Sequence, residues 1–215
     1  ESGVARALGG LRRWWGGPQP GARGRLHCLR WEGTQLHAED AWLFDEETPC
    51  ALAVSAEGDF AAVGFAHGAV RTFSLEEGRL ARFSAARPHT TPVRALLALA
   101  HHGLLVSAAD CALVCSDLAR DDCCLGEAVA LPREPLCLSL NRRFDVLLMG
   151  DAGGTLWAFA LQGAAGGLAQ LLEQPLRTSP LRAVCSDAQG GALFAAFDDG
   201  YVAMLSTGGG FDSRP

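Results

Sequence analysis

The chain has 215 residues, of which 49% are hydrophobic and 20% charged, and its formal net charge is −6. This composition is typical of a globular protein, and no transmembrane helix is expected because Arg, Asp or Gly interrupts every long apolar stretch. All 18 basic side chains are arginines, which excludes Schiff-base and Walker-type lysine chemistry within the chain.

The charge is unevenly distributed along the chain. Residues 1–30 carry six arginines and one glutamate, whereas the remainder carries 12 arginines and 23 acidic residues. An acidic body argues against binding to a phosphate backbone, so nucleic acid is not expected as a partner.

Residues 1–23 form a basic, Gly- and Pro-rich N-terminal segment. Its two short apolar runs, 4–8 and 11–15, are either the first two strands of a β-sheet unit or precede the fold. Trp14 and Trp15 follow two arginines and are candidate partner-binding residues, because Trp and Arg are enriched at binding hot spots. The alternative is that both tryptophans pack inside an incomplete first unit.

A repeat of about 44 residues begins after this segment. Four prolines are spaced by 43, 43 and 45 residues, and each precedes three short apolar runs: Pro49, Pro92, Pro135 and Pro180. A period in this range indicates a propeller or a solenoid. The predicted repeat units lie near residues 24–48, 49–91, 92–134, 135–179 and 180–207, followed by a tail at 208–215.

Each unit is predicted to be an antiparallel meander of four strands. In the clearest copy the strands cover 51–56, 60–65, 70–75 and 79–85, and Gly-containing turns join them. The first two strands are almost entirely small and apolar, which predicts burial on both faces. The fourth strand is the most polar and suits an outer edge.

The stretch 89–118 resembles a WD repeat. His89 stands where that family has the histidine between two repeats, Asp110 matches its turn aspartate, and Ser116-Asp117 occupies the place of the Trp-Asp pair. The resemblance implies an all-β, WD40-type β-propeller of about five blade-equivalents. In that family a histidine–aspartate network rigidifies the blades, and we expect this network to be mostly absent here, because only this unit has the histidine and no unit has the full Trp-Asp pair.

A weaker resemblance concerns residues 153–159. Their sequence, GGTLWAF, is similar to the blades of quinoprotein-type propellers. That family would imply an enzymatic or cofactor-binding propeller, which is the alternative function.

The WD resemblance implies a non-enzymatic scaffold or adaptor that joins protein subunits within a multiprotein complex. In that family one face is lined by the loops that enter first strands and by those between second and third strands. These loops give the candidate partner-binding residues His89, Arg94, Asp110, Arg133, Glu134, Asp151, Arg177, Arg182, Asp198 and Asp199. WD-type discs commonly close with seven blades, so we expect a larger propeller, completed by more chain or by a partner's strands.

The sequence offers no motif for catalysis or metal binding. It has no Cys-x-x-Cys, Gly-x-Ser-x-Gly or His-Glu-x-x-His pattern, and its acid pairs fall in predicted turns, where carboxylates are usually solvated. We therefore expect no enzyme activity, no metal and no cofactor. The eight cysteines are too sparse for a disulfide framework, which predicts free thiols and an intracellular location, cytoplasmic or nuclear.

Overall fold

The structure is a computed structural model that describes residues 22–45, 47–55, 58–76, 79–99, 102–117, 128–162 and 167–208. Every regular element within these ranges is a β-strand, as the short apolar runs predict, and no helix in them is long and apolar enough to cross a membrane. The strands are β1 (Ala22–Glu32), β2 (Gln35–Asp45), β3 (Pro49–Val54), β4 (Phe60–Phe65), β5 (Val70–Glu76), β6 (Arg79–Ala86), β7 (Ala95–Leu99), β8 (Leu104–Ala109), β9 (Ala112–Asp117), β10 (Val129–Ala130), β11 (Pro135–Asn141), β12 (Val146–Asp151), β13 (Thr155–Gln162), β14 (Gly167–Pro175), β15 (Leu181–Ser186), β16 (Ala192–Phe197) and β17 (Val202–Ser206).

The strands form five antiparallel sheets in which each strand pairs with its neighbour in sequence. Three sheets have four strands (β3–β6, β7–β10 and β11–β14), and the described parts of the others have two (β1–β2) and three (β15–β17). The expectation of an all-β chain built from antiparallel meanders is confirmed. Within each sheet the first strand lies at one edge and the last strand at the other.

Tight turns between strands follow the residue types of the sequence. Gly68 and Gly154 have φ values of 87° and 79°, so each supplies the left-handed backbone that its turn requires. Between β8 and β9 the two turn residues, Asp110 and Cys111, both have positive φ (52° and 53°). This pattern is that of a type I′ turn, which matches the right-handed twist of the strands it joins.

Consecutive sheets pack face to face through four apolar clusters. The central cluster joins β7–β10 to β11–β14 and contains Leu113, Met149 and Phe159, all at most 1% exposed. Similar clusters join β1–β2 to β3–β6, β3–β6 to β7–β10, and β11–β14 to β15–β17. The core is therefore a series of layers between sheets rather than a single centre.

Burial of the first strand on both faces proves wrong for β3. Leu52 and Val54 are 57% and 52% exposed, whereas Val63 of the neighbouring strand is buried. The described residues of the preceding sheet comprise only β1 and β2, and these cover β4, β5 and β6 through Phe44 and Trp42. One face of β3 is therefore left uncovered by them.

In two sheets a glycine near the end of the second strand lets the next sheet approach. A Cβ added to Gly64 would lie 2.6 Å from Val93 Cγ1, and one added to Gly150 would lie 3.0 Å from Leu181 Cβ. The corresponding positions of the other two sheets, judged by pairing register, are Ala108 and Ala196. At Gly64 and Gly150 the next sheet thus comes close at the start of its first strand.

We expect Gly150→Ala to destabilise the protein by about 1–3 kcal/mol, because the new methyl group would overpack the contact with Leu181. Urea unfolding monitored by tryptophan fluorescence measures this change. Gly191→Ala is the matched control, since a Cβ at Gly191 meets no atom within 4 Å. Equal stabilities of the two variants would contradict the close approach.

Candidate partner-binding rim

The loops that enter first strands and those that join second to third strands meet at one end of the sheets. Backbone hydrogen bonds hold the two kinds of loop together, for example Ala152 N to Glu134 O and Asp198 N to Pro180 O, at 2.9 and 3.0 Å. All ten loop residues predicted to bind partners lie at this end, which we call the rim. Trp14 and Trp15 lie outside the described residues.

Three exposed ion pairs occupy the rim. Arg94 Nε lies 2.6 Å from Glu134 Oε1, and so connects the third sheet to the loop that enters the fourth. Arg177 Nε lies 2.7 Å from Asp199 Oδ2, and its guanidinium carbon lies 4.4 Å from the centre of the Tyr201 ring. The arrangement presents alternating charges and an aromatic ring to solvent.

The third pair, Arg182 with Asp198, is bidentate. Arg182 Nε and Nη2 donate to the two Asp198 oxygens at 2.7 and 2.6 Å. The hydrogen bonds from Arg182 lower the pKa of Asp198, and those from Arg177 lower the pKa of Asp199 in the same way. Because exposed pairs of this kind stabilise a fold little, these charges remain available to a partner.

The structure places two of the predicted rim residues inside the protein. His89 is 3% exposed and Asp151 is 1% exposed, so neither side chain can contact a partner in this conformation. Arg133 is exposed, and its guanidinium lies over Gly153, where an added Cβ would come within 2.7 Å of Arg133 Cζ.

His89 belongs to a buried hydrogen-bonded group. Its Nε2 lies 2.8 Å from Ser107 Oγ, while its Nδ1 lies 3.9 Å from Asp110 Oδ2. These are the residue types of a nucleophilic triad, but Ser107 is 1% exposed, so no substrate can reach its hydroxyl. Burial lowers the pKa of His89. The group links strand β8 to the loop that precedes β7 and stabilises the fold.

Asp110 holds the same loop from the turn between β8 and β9. Its Oδ2 accepts hydrogen bonds from the backbone N–H of Thr90, from that of Thr91 at 3.3 Å, and from Thr90 Oγ1 at 3.2 Å. Hydrogen bonds, the largest contribution being that of the Thr91 side chain, lower the pKa of Asp110 to about 2. An ionised Asp110 therefore stabilises the loop that carries His89.

Asp151 accepts hydrogen bonds from a different set of donors, which was not predicted from the sequence. Its Oδ1 accepts from the N–H groups of Gly153 and Thr155 at 2.8 and 2.9 Å, and its Oδ2 accepts from Trp157 Nε1 at 2.9 Å. All three donors lie within six residues of the carboxylate. The signal in the sequence is an aspartate before a Gly-Gly turn, with a tryptophan six positions later.

The described residues offer little for a cofactor or a metal. They contain no group of three or more His, Cys, Asp or Glu side chains that could hold a metal ion. Burial raises the pKa of Cys115 and of Cys137 to about 11, so neither thiol forms the reactive thiolate at neutral pH.

A groove of about 230 Å³ opens between the first two sheets. Its lining is mainly apolar, with Arg25 as the charged member, and comprises Arg25, Leu26, Phe44, Pro49, Cys50, Ala51, Leu52 and Val63. It lies beside the exposed face of β3, and Arg25 and Leu26 of β1 line its other side. We therefore interpret it as a packing gap.

Comparison with known proteins identifies the fold but not a family. No family model matches the chain, and no curated protein matches it either. Among solved structures, the crystal structure of the computationally designed Ika4 protein is similar, with a TM-score of 0.57 and 18% sequence identity. The match covers 76% of this chain and 93% of the designed protein. At this identity the similarity concerns the arrangement of sheets alone.

Stability should depend on pH through Asp110. Because its folded-state pKa of about 2 lies below the ordinary aspartate value of 3.8, its contribution is complete above pH 3.8 and is lost as the pH falls toward 2. We expect Asp110→Asn to cost about 0.5–1.5 kcal/mol at neutral pH, because solvent screening weakens hydrogen bonds to an exposed carboxylate, and the cost to shrink at acid pH. Unfolding free energies measured from pH 7 to pH 2.5 test this, and a difference that is constant with pH would contradict it.

Trp157→Phe should destabilise the protein, because it removes a donor from the buried Asp151 carboxylate and keeps an aromatic ring beside Phe159. The expected loss is about 1.5–3 kcal/mol, measured by denaturant unfolding. The matched double variant adds Asp151→Asn. Its loss should be smaller than the sum of the two single losses, and strict additivity would show that Trp157 and Asp151 do not interact.

Proposed function

We propose that the chain forms blades of a WD40-type β-propeller and acts as a non-enzymatic scaffold or adaptor that binds other proteins at its rim. The observation that carries this proposal is the set of exposed, ion-paired charges contributed by loops of successive sheets. Mixed charges beside an aromatic ring suit the polar rim of a protein interface, where Arg and Tyr are enriched.

The buried polar groups support a structural rather than a catalytic role for the residue types that could perform chemistry. The candidate nucleophile, Ser107, is sealed beneath the loop that carries His89. Asp151 is saturated by three donors within its own turn. The exposed charged groups pair with each other and face solvent.

A larger propeller is part of the proposal. The end sheets have fewer strands in their described parts than the three sheets between them, and open sheet edges favour pairing with further strands. Additional chain or the strands of a partner subunit would complete such a disc.

The alternative is an enzymatic or cofactor-binding propeller of the quinoprotein type. What supports it is the resemblance of residues 153–159, GGTLWAF, to the blades of that family. A visible absorption band or a stoichiometric metal in the purified protein would support this alternative over the scaffold.

Affinity capture tests the scaffold proposal. The variant Arg94→Glu with Arg182→Glu reverses two rim charges, and Arg142→Glu with Arg143→Glu is the matched control, since these two exposed arginines lie in the turn between β11 and β12 at the opposite end of the sheets. The wild type and the control should capture the same proteins. The rim variant should capture about tenfold less of them, or lower still, because reversed charges repel a complementary surface.

Two outcomes would contradict the proposal. One is that the same proteins bind equally to all three chains. The other is that no protein binds specifically to the wild type. Circular dichroism and thermal unfolding of each variant establish that its fold is intact.

A further inference from the structure

The last sheet exposes an entirely uncharged face. On the side of β15–β17 that points away from β11–β14, Phe194, Val202 and Met204 are 38%, 62% and 72% exposed. Pairing places Phe194 beside Met204 and Ala196 beside Val202. The eight strand positions of this face, which we call the trailing face, are Ala183, Cys185, Ala192, Phe194, Ala196, Val202, Met204 and Ser206.

The first described sheet exposes apolar side chains on one face at the other end of the chain. On the side of β1–β2 that points away from β3–β6, Leu29, Leu36 and Leu43 are 44%, 46% and 46% exposed. The same side of the pair also carries Ala38, opposite Leu29, Arg25, opposite Leu43, and His27, opposite Ala41, so the leucines are apolar patches on a face that is not wholly apolar. We call this the leading face.

An open strand edge accompanies the trailing face. In each of the three four-stranded sheets the third strand pairs with a fourth, whereas β17 pairs only with β16 within the described residues. Its outer edge therefore presents N–H and C=O groups that could pair with another strand.

Both faces resemble surfaces that the chain already buries. Each of the four apolar clusters lies between two consecutive sheets. It joins the face that one sheet packs on the following sheet to the face that the following sheet packs on the preceding one. The trailing face is the face that the last sheet would pack on a following sheet. The leading face is the face that the first described sheet would pack on a preceding sheet. Contiguous apolar surface of this type commonly marks an interface.

We infer that the chain self-associates head to tail, with the trailing face of one copy packed against the leading face of a second. Such a contact uses two different surfaces and is heterologous, so it extends the stack of sheets by the same packing that holds each copy together. The inference rests on the sheet packing and does not depend on the scaffold function or on the rim.

Sedimentation velocity of the full chain over a wide range of concentrations tests this inference. We expect the wild type to associate as its concentration rises. Met204→Glu on the trailing face and Leu29→Glu on the leading face should each weaken association by about 100-fold, because each would bury an unpaired charge. Gln174→Glu, an exposed change on β14 away from both faces, is the control and should associate as the wild type does.

A mixture of the two variants distinguishes head-to-tail from symmetric association. Leu29→Glu keeps an intact trailing face and Met204→Glu keeps an intact leading face, so the mixture should form a one-to-one complex that grows no further. Symmetric association through either face would instead leave one variant self-associating alone. If Met204→Glu fails to fold, Val202→Glu replaces it on the same face.

The inference is overturned if the wild type remains monomeric at every concentration. It is also overturned if either single variant associates as the wild type does, or if the mixture forms no one-to-one complex.

Discussion

Contact between the apolar faces of consecutive sheets is the interaction on which the rest of this structure depends. Each sheet is too small to bury its own residues, so stability comes from the layers between sheets, where Leu113, Met149 and Phe159 are almost fully buried. The contact is closest where a small residue near the end of a second strand, such as Gly64 or Gly150, meets the first strand of the next sheet. The same stacking leaves one face of the first described sheet and one face of the last without a neighbouring sheet among the described residues.

The same packing divides the polar residues into two groups. Some polar side chains of the loops and turns point inward and are hydrogen-bonded, as for His89 with Ser107 and Asp151 with Trp157. Other charged side chains pair at the surface, as for Arg182 with Asp198. The proposed binding function belongs to the second group, because only those side chains can reach another molecule.

Much of the fold could be predicted because turn residues in the sequence mark the ends of the strands. The strand Phe60–Phe65 was predicted at its observed bounds, since turn residues stand on both sides of it. The exposure of β3 could not be predicted, because it depends on which strands of the preceding sheet lie opposite rather than on the sequence of β3 itself. The burial of Asp151 was missed for a similar reason. Position in the repeat places it in a rim loop, but its burial depends on the donors that Gly153, Thr155 and Trp157 supply to it.

A double-mutant cycle on Gly150 and Leu181 tests the central constraint most directly. These residues belong to different sheets and lie more than thirty positions apart in the sequence, so an energetic coupling between them reports the stacking of sheets. Compensation is predicted: Gly150→Ala should cost less, by about 1 kcal/mol or more, when Leu181→Ala has removed Leu181 Cδ2, which would lie 2.4 Å from the new Cβ. Free energies of unfolding that add within about 0.5 kcal/mol would contradict the account.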